Sequence, residues 1–133
     1  MSLLSTLMTS PKPLPAPSRY TVFNGYFYLS FGVMALIWPG MAQTLFREAP
    51  FAGREDGMMR VVGLLLMVVG WLYVFAGRTG ERSVVAASVI DRLLIPAALL
   101  PLILTGVLPH LLSVFAVVDP ALGIGAWMLL RKS

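Results

Sequence analysis

RVVGLLLMVVGWLYVFAG, residues 60–77, holds eighteen positions with a single charge, and that charge stands at its first residue. A run of this kind reaches the ~20 apolar residues that carry a helix across ~30 Å of hydrocarbon. It is too long and too uniform for a barrel strand, and in lipid the backbone must satisfy its own hydrogen bonds. Working outward, the pattern recurs three more times. The expected spans are 20–38, stopped by Pro39-Gly40; 58–77; 84–106, broken by Pro96 and Pro101; and 108–130, ending at Arg131-Lys132. The fold class is therefore all-α, a polytopic integral membrane bundle of four transmembrane helices. The link between the last two spans is very short and demands an antiparallel hairpin.

Composition agrees. The 133 residues are 58% hydrophobic and 12% charged, against about a quarter charged in an ordinary soluble domain. No polar stretch is long enough for a second domain, so residues 20–130 read as one bundle. Residues 1–19 read as a proline-rich cytoplasmic tail and 131–133 as a basic end. Prolines at 11, 13, 15 and 17 favour an extended tail. The absence of cysteine removes disulfides, thiol nucleophiles and iron–sulfur clusters, and the single His110 leaves no multi-histidine metal or haem site. No cofactor and no metal is expected. The formal charge of +4 does not point to nucleic acid, because the basic residues are scattered at helix ends and loops.

Their distribution speaks to topology. Lys12, Arg19, Arg78, Arg82, Arg131 and Lys132 share one side, whereas Arg47, Arg54 and Arg60 lie on the other. Six against three places both termini in the cytoplasm, with the protein in the cell's inner (plasma) membrane. The loop 39–57 is the sizeable extramembrane piece; its charges nearly cancel, and AQTLFREAPF suits a short interfacial turn or a solvated loop. Arg60 reads as a headgroup anchor and His110 as a hydrated boundary residue.

Gly63, Gly70 and Gly77 recur every seven residues on the second span, and Gly25 and Gly32 repeat that spacing on the first. Small residues so placed let a neighbouring backbone approach closely. On the fourth span Ser113, Ala116, Asp119, Gly123 and Ala126 form one stripe, with Leu112, Phe115, Val117 and Val118 elsewhere. Asp119 should therefore point into the bundle. On the third, Ser88, Asp91, Ala98 and Thr105 form a comparable stripe, and Arg92 lies about a hundred degrees round from Asp91. Arg92 is expected to reach sideways or to snorkel.

Ionisable residues inside spans are expensive and mark either a packing lock or a functional site. Asp91 and Arg92 in the cytoplasmic half of their span and Asp119 near mid-span can meet Asn24, Tyr28 and Tyr73. These six are the candidate ligand-binding or proton-binding residues. In one reading Arg92 neutralises the acids and the tyrosines fix helix register. In the other, two acids sharing one arginine leave an acid free to meet a ligand or a proton. No catalytic residue is assigned, because the chain lacks a nucleophile–base pair.

The pattern Arg60-x-x-Gly63-x6-Gly70-x-x-Tyr73, with Asp119 on the last of four helices, resembles the small bacterial DoxX-like membrane proteins. The layout is also similar to EXPERA-type bundles. The resemblance covers the four spans and neither the N-tail nor the outer loop. The DoxX-like group implies an accessory role beside membrane oxidoreductases. The EXPERA likeness implies that Asp91 and Asp119 face a cationic or hydroxylated lipophile, although here Arg92 stands beside Asp91. Three functions follow as expectations: a non-catalytic lipophile-binding or accessory subunit, with the bilayer, a second copy or a larger complex as partner; a proton-coupled carrier or channel using Asp119; and, with few chemical tools, an intramembrane isomerase or hydrolase using an aspartate.

Overall fold

The computed structural model describes residues 2–133, and among them every regular element is a helix. In chain order these are α1 (Leu3–Met8), α2 (Ala16–Ile37), α3 (Pro39–Leu45), α4 (Glu55–Gly77), α5 (Arg82–Leu104) and α6 (Pro109–Lys132). Four of them, α2, α4, α5 and α6, are long and apolar enough to cross a membrane. The all-α membrane bundle expected from the sequence is the architecture observed.

The boundaries differ from expectation where proline acts locally. The tail is not extended throughout: α1 forms ahead of the prolines, and Ser2 caps it by accepting the Ser5 N–H at 3.1 Å. Helix α2 starts at Ala16 and takes Pro17 into its first turn, where a missing N–H costs nothing. Pro39 likewise opens α3 after ending α2. Pro96 and Pro101 do not break α5, which stays helical from Arg82 to Leu104. In lipid the helix is the one local structure that satisfies the remaining backbone groups, so it absorbs the lost bonds.

Glycine sets the packing. Helices α2 and α4 lie backbone against backbone. A Cβ on Gly32 would fall 2.6 Å from the Gly63 carbonyl, and one on Gly63 would fall 2.5 Å from the Leu36 nitrogen. Gly25 and Gly70 meet the same way, with a Cβ on Gly25 only 2.7 Å from the Val74 nitrogen. Real Cβ atoms cannot enter such space, so the seven-residue glycine repeat on both helices is a steric requirement. Helices α5 and α6 form the second close pair, joined by a turn in which Gly106 and Leu108 both take positive φ (84° and 43°). Contacts between the two pairs are sparser, and α4 meets α5 only lightly.

The outer loop is structural. Glu48 is buried, and its Oε1 accepts the Leu111 backbone N–H at 2.7 Å. That N–H is one of the orphan donors in the first turn of α6, where a carboxylate is also favoured by the helix dipole. Gln43 Nε2 donates to the Glu48 carbonyl at 2.6 Å and holds the cap in place. His110 stays exposed, with Nδ1 3.0 Å from the Arg47 carbonyl. Arg60 is not a free headgroup anchor: its Nη1 donates to the Leu36 carbonyl at 2.7 Å, and its Nε to Asp56 at 3.2 Å. It thus terminates α2 from α4. At the other end Arg82 closes α6, donating to the Leu130 carbonyl at 3.1 Å.

Gly70→Ala is expected to lower stability by about 1–3 kcal/mol, because the added methyl meets backbone that cannot swing away. Gly57→Ala, on the same helix but with nothing within 4 Å of its Cβ, is expected to be neutral or stabilising by up to about 1 kcal/mol. Thermal unfolding of both variants in mild detergent checks the pair; equal Tm values would refute the backbone-contact account.

Candidate functional site

The six candidate residues are distributed over all four spanning helices, and the structure brings most of them together. Tyr28, one turn after Asn24 on α2, is buried; its hydroxyl donates to Asp119 Oδ1 on α6. Tyr73 on α4 donates to Asp91 Oδ2 on α5 at 2.6 Å. The two tyrosine rings pack edge to face, with centroids 5.5 Å apart and planes at 81°. One tyrosine–aspartate contact thus ties α2 to α6 and the other ties α4 to α5, so each crosses between the two helix pairs.

The burial of Asp91 and Arg92 is the reverse of the expectation. Asp91 faces outward and is exposed, whereas Arg92 is 1% exposed. The inward side of α5 is formed by Val85, Ser88, Val89 and Arg92, at helical spacing. Gly123 on α6 makes room, since a Cβ there would stand 3.2 Å from Arg92 Cβ. The register of α5 against α6 therefore selects Arg92 for the interior.

Nor does the arginine neutralise the acids. Among the described residues no ion pair joins Arg92 to Asp91 or Asp119 within 4.0 Å. Instead Nε and Nη2 donate to the Ser88 carbonyl and hydroxyl, both at 3.1 Å. The guanidinium also lies over the Tyr73 ring, 5.3 Å from its centroid. Its Nη1, like Asn24 Nδ2, is buried with no hydrogen-bond partner. Asn24 is accordingly inside the bundle but bonded to neither acid. Ser113 and Phe115 also exchange their expected places. Ser113 is exposed, and Phe115 is buried against the Phe31 ring at 5.1 Å. The inward line of α6 is Leu111, Phe115, Asp119, Gly123 and Ala126.

Asp119 is the end of a groove. A hollow of about 170 Å³ lies between the helix pairs, walled by Val62 and Leu66 of α4, Ile95 and Leu99 of α5, and Leu112 and Phe115 of α6. Asp119 is its polar residue, at the end nearest the chain termini. With Oδ1 held by Tyr28, the second carboxyl oxygen takes no hydrogen bond from the described residues and is not sealed away. The site therefore offers one open acceptor at the end of an apolar slot. It has no nucleophile beside a base, and no group of three or more metal-ligating side chains occurs among the described residues. Aliphatic wall residues such as Val62 and Ile95 carry no signal in the sequence, because a lining Leu or Val reads the same as a lipid-facing one. Ser88, which was on the predicted stripe, was legible; its role as the Arg92 acceptor was not.

No protein-family model, curated protein or solved structure matches the chain.

Tyr28→Phe is expected to cost about 1–3 kcal/mol, since it strips a buried carboxyl of its donor. Tyr73→Phe should cost less, about 0.5–1 kcal/mol, because Asp91 is exposed and its contact resembles an ordinary interhelical one. Denaturation of both variants in the same detergent gives the order, and the reverse order would refute the assignment of Asp119 as the buried partner.

Proposed function

We propose that this chain is a non-catalytic, lipophile-binding membrane protein, working beside a larger assembly or a second copy of itself. The observation that carries the reading is the slot between the helix pairs that ends on the open oxygen of Asp119. Binding sites for lipophiles are mostly apolar with a few polar groups that fix orientation. An acceptor at the end of such a slot selects a ligand with a donor at one end, a hydroxyl or an ammonium. The outward Asp91, within its span and held only by Tyr73, supports the accessory side of the reading. A carboxyl facing lipid is costly, and a partner helix with a donor would relieve that cost. An accessory role like that of the DoxX-like group fits the same proposal. So does a plasma-membrane location with both termini in the cytoplasm, which the six-against-three count of basic residues favours.

Protein extracted gently from its own membrane is expected to carry a hydroxyl- or amine-bearing lipophile, seen by native mass spectrometry, and to migrate with a second copy or a partner subunit. Asp119→Asn should lower ligand occupancy about tenfold. A ligand-free monomer, whose deletion leaves the membrane complexes of the cell intact, would end this reading.

A second reading has its own observation. Asp119 sits near the middle of α6, and among the described residues no cation stands within ion-pair distance. Secondary transporters place coupling carboxylates near the midplane. On that reading the protein is a proton-coupled carrier or channel for a small solute, and Asp119→Asn abolishes the pH dependence of solute flux in proteoliposomes. Unchanged flux in the variant would remove it.

A further inference from the structure

A second and larger hollow, about 370 Å³, lies at the end of the bundle away from the termini. Phe51, Glu55, Met58 and Val62 line one side of it, and Val107 and Leu108 the other. Val62 also walls the slot that leads to Asp119. Along α4, the residues facing the two hollows are 55, 58, 59, 62 and 66. That spacing of three and four keeps to one helix face, so both hollows lie against a single stripe of α4. The depths agree. Glu55 to Leu66 on α4, and Leu108 at the start of α6 to Asp119 on it, each cover eleven steps running in the same direction, or about 16 Å.

We infer that the two hollows are one track, and that its occupant is a single unbranched amphiphile whose donor end lies at Asp119 and whose chain runs past Val62 to the mouth at Phe51 and Glu55. This rests on the lipophile-binding reading and adds to it the shape of the ligand and its point of entry. Size selects the occupant. A helix spanning that length at a diameter of 10–12 Å fills roughly 1,300 Å³ or more, far more than hollows of about 370 and 170 Å³. Apart from Glu55 at the mouth and Asp119 at the far end, the side chains that wall both hollows are apolar, and apolar cavities do not hold water well. A compact, fused-ring molecule would fill the wider mouth but leave the narrow slot at Asp119 empty. A linear chain fits both. The light contact between α4 and α5 is the physical reason that the track exists. Glycine draws α4 onto α2, and the stripe of α4 that faces α5 meets it only lightly.

The test uses the whole protein in phosphatidylcholine nanodiscs and two photoprobes, 1-hexadecanol and 1-octanol, each with a diazirine next to its methyl end. An extended hexadecyl chain is longer than the track, and an octyl chain is shorter. Adducts of the long probe are expected on residues 51–62 and 106–108. Those of the short probe are expected on the slot, at Leu66, Ile95, Leu99, Leu112 and Phe115. Met58→Trp, which lines the mouth and not the slot, should cut the long probe's adducts at the mouth about tenfold and leave those of the short probe unchanged. Val107→Trp, on the other side of the mouth, serves if the first variant does not fold. Long-probe adducts spread over lipid-facing residues such as Leu64 and Val117, or mouth labelling indifferent to both tryptophans, would overturn the single track. Equal labelling of the mouth by the short probe would overturn it too, by making the mouth a separate site. Short-probe labelling of the slot that is unaffected by Asp119→Asn would instead overturn the underlying lipophile reading, so the two failures are told apart.

Discussion

The backbone contact between α2 and α4 is the constraint on which the rest of the structure depends. Two helices can approach this closely only where neither carries a Cβ, and here Gly25 and Gly32 meet Gly63 and Gly70. Within a bilayer there is little hydrophobic drive to bring helices together, so close van der Waals packing and interhelical hydrogen bonds do that work. The ends of the pair are also tied, since Arg60 of α4 holds the last carbonyls of α2. Helices α2 and α4 therefore behave as one unit.

The same economy of contact explains the seam. Helices α5 and α6 form the other unit, closed at one end by the Gly106–Leu108 turn and at the other by Arg82 on the α6 carbonyls. The units meet through particular links: Tyr28 to Asp119, Tyr73 to Asp91, and Glu48 to the start of α6. Between those links α4 meets α5 only lightly. The hollows lie there, and Asp119 stands at the end of one. A bundle of four mutually close-packed helices would have filled this space with side chains, as soluble cores do.

Charge inside the bundle is handled by hydrogen bonds instead of ion pairs. Arg92 is enclosed by Ser88 and by the face of the Tyr73 ring, and each aspartate takes a tyrosine hydroxyl. An arginine bonded to its own helix leaves the carboxyls their acceptor capacity, which an intimate ion pair would use up. The two residues thus stand apart: Arg92 is bonded within the fold, and Asp119 lines the slot.

Four membrane helices, the glycine contact face and the inward direction of Asp119 were legible in the sequence, because each depends on a local regularity: length, seven-residue spacing, helical phase. Arg92 and Asp91 were assigned the wrong faces, since two adjacent residues at a hundred degrees are equally able to turn inward until a neighbour's Gly123 makes room for one. Glu48 looked like a loop charge, and only the position of Leu111 makes it a cap. The sequence by itself determined which segments are helices and which surfaces admit close approach, because those follow from one chain's own periodicity and from the cost of exposing backbone to lipid. Tertiary structure alone decided which residue of each adjacent pair is inside and where the bundle stays open. These depend on the register of one helix against another, which no single helix encodes.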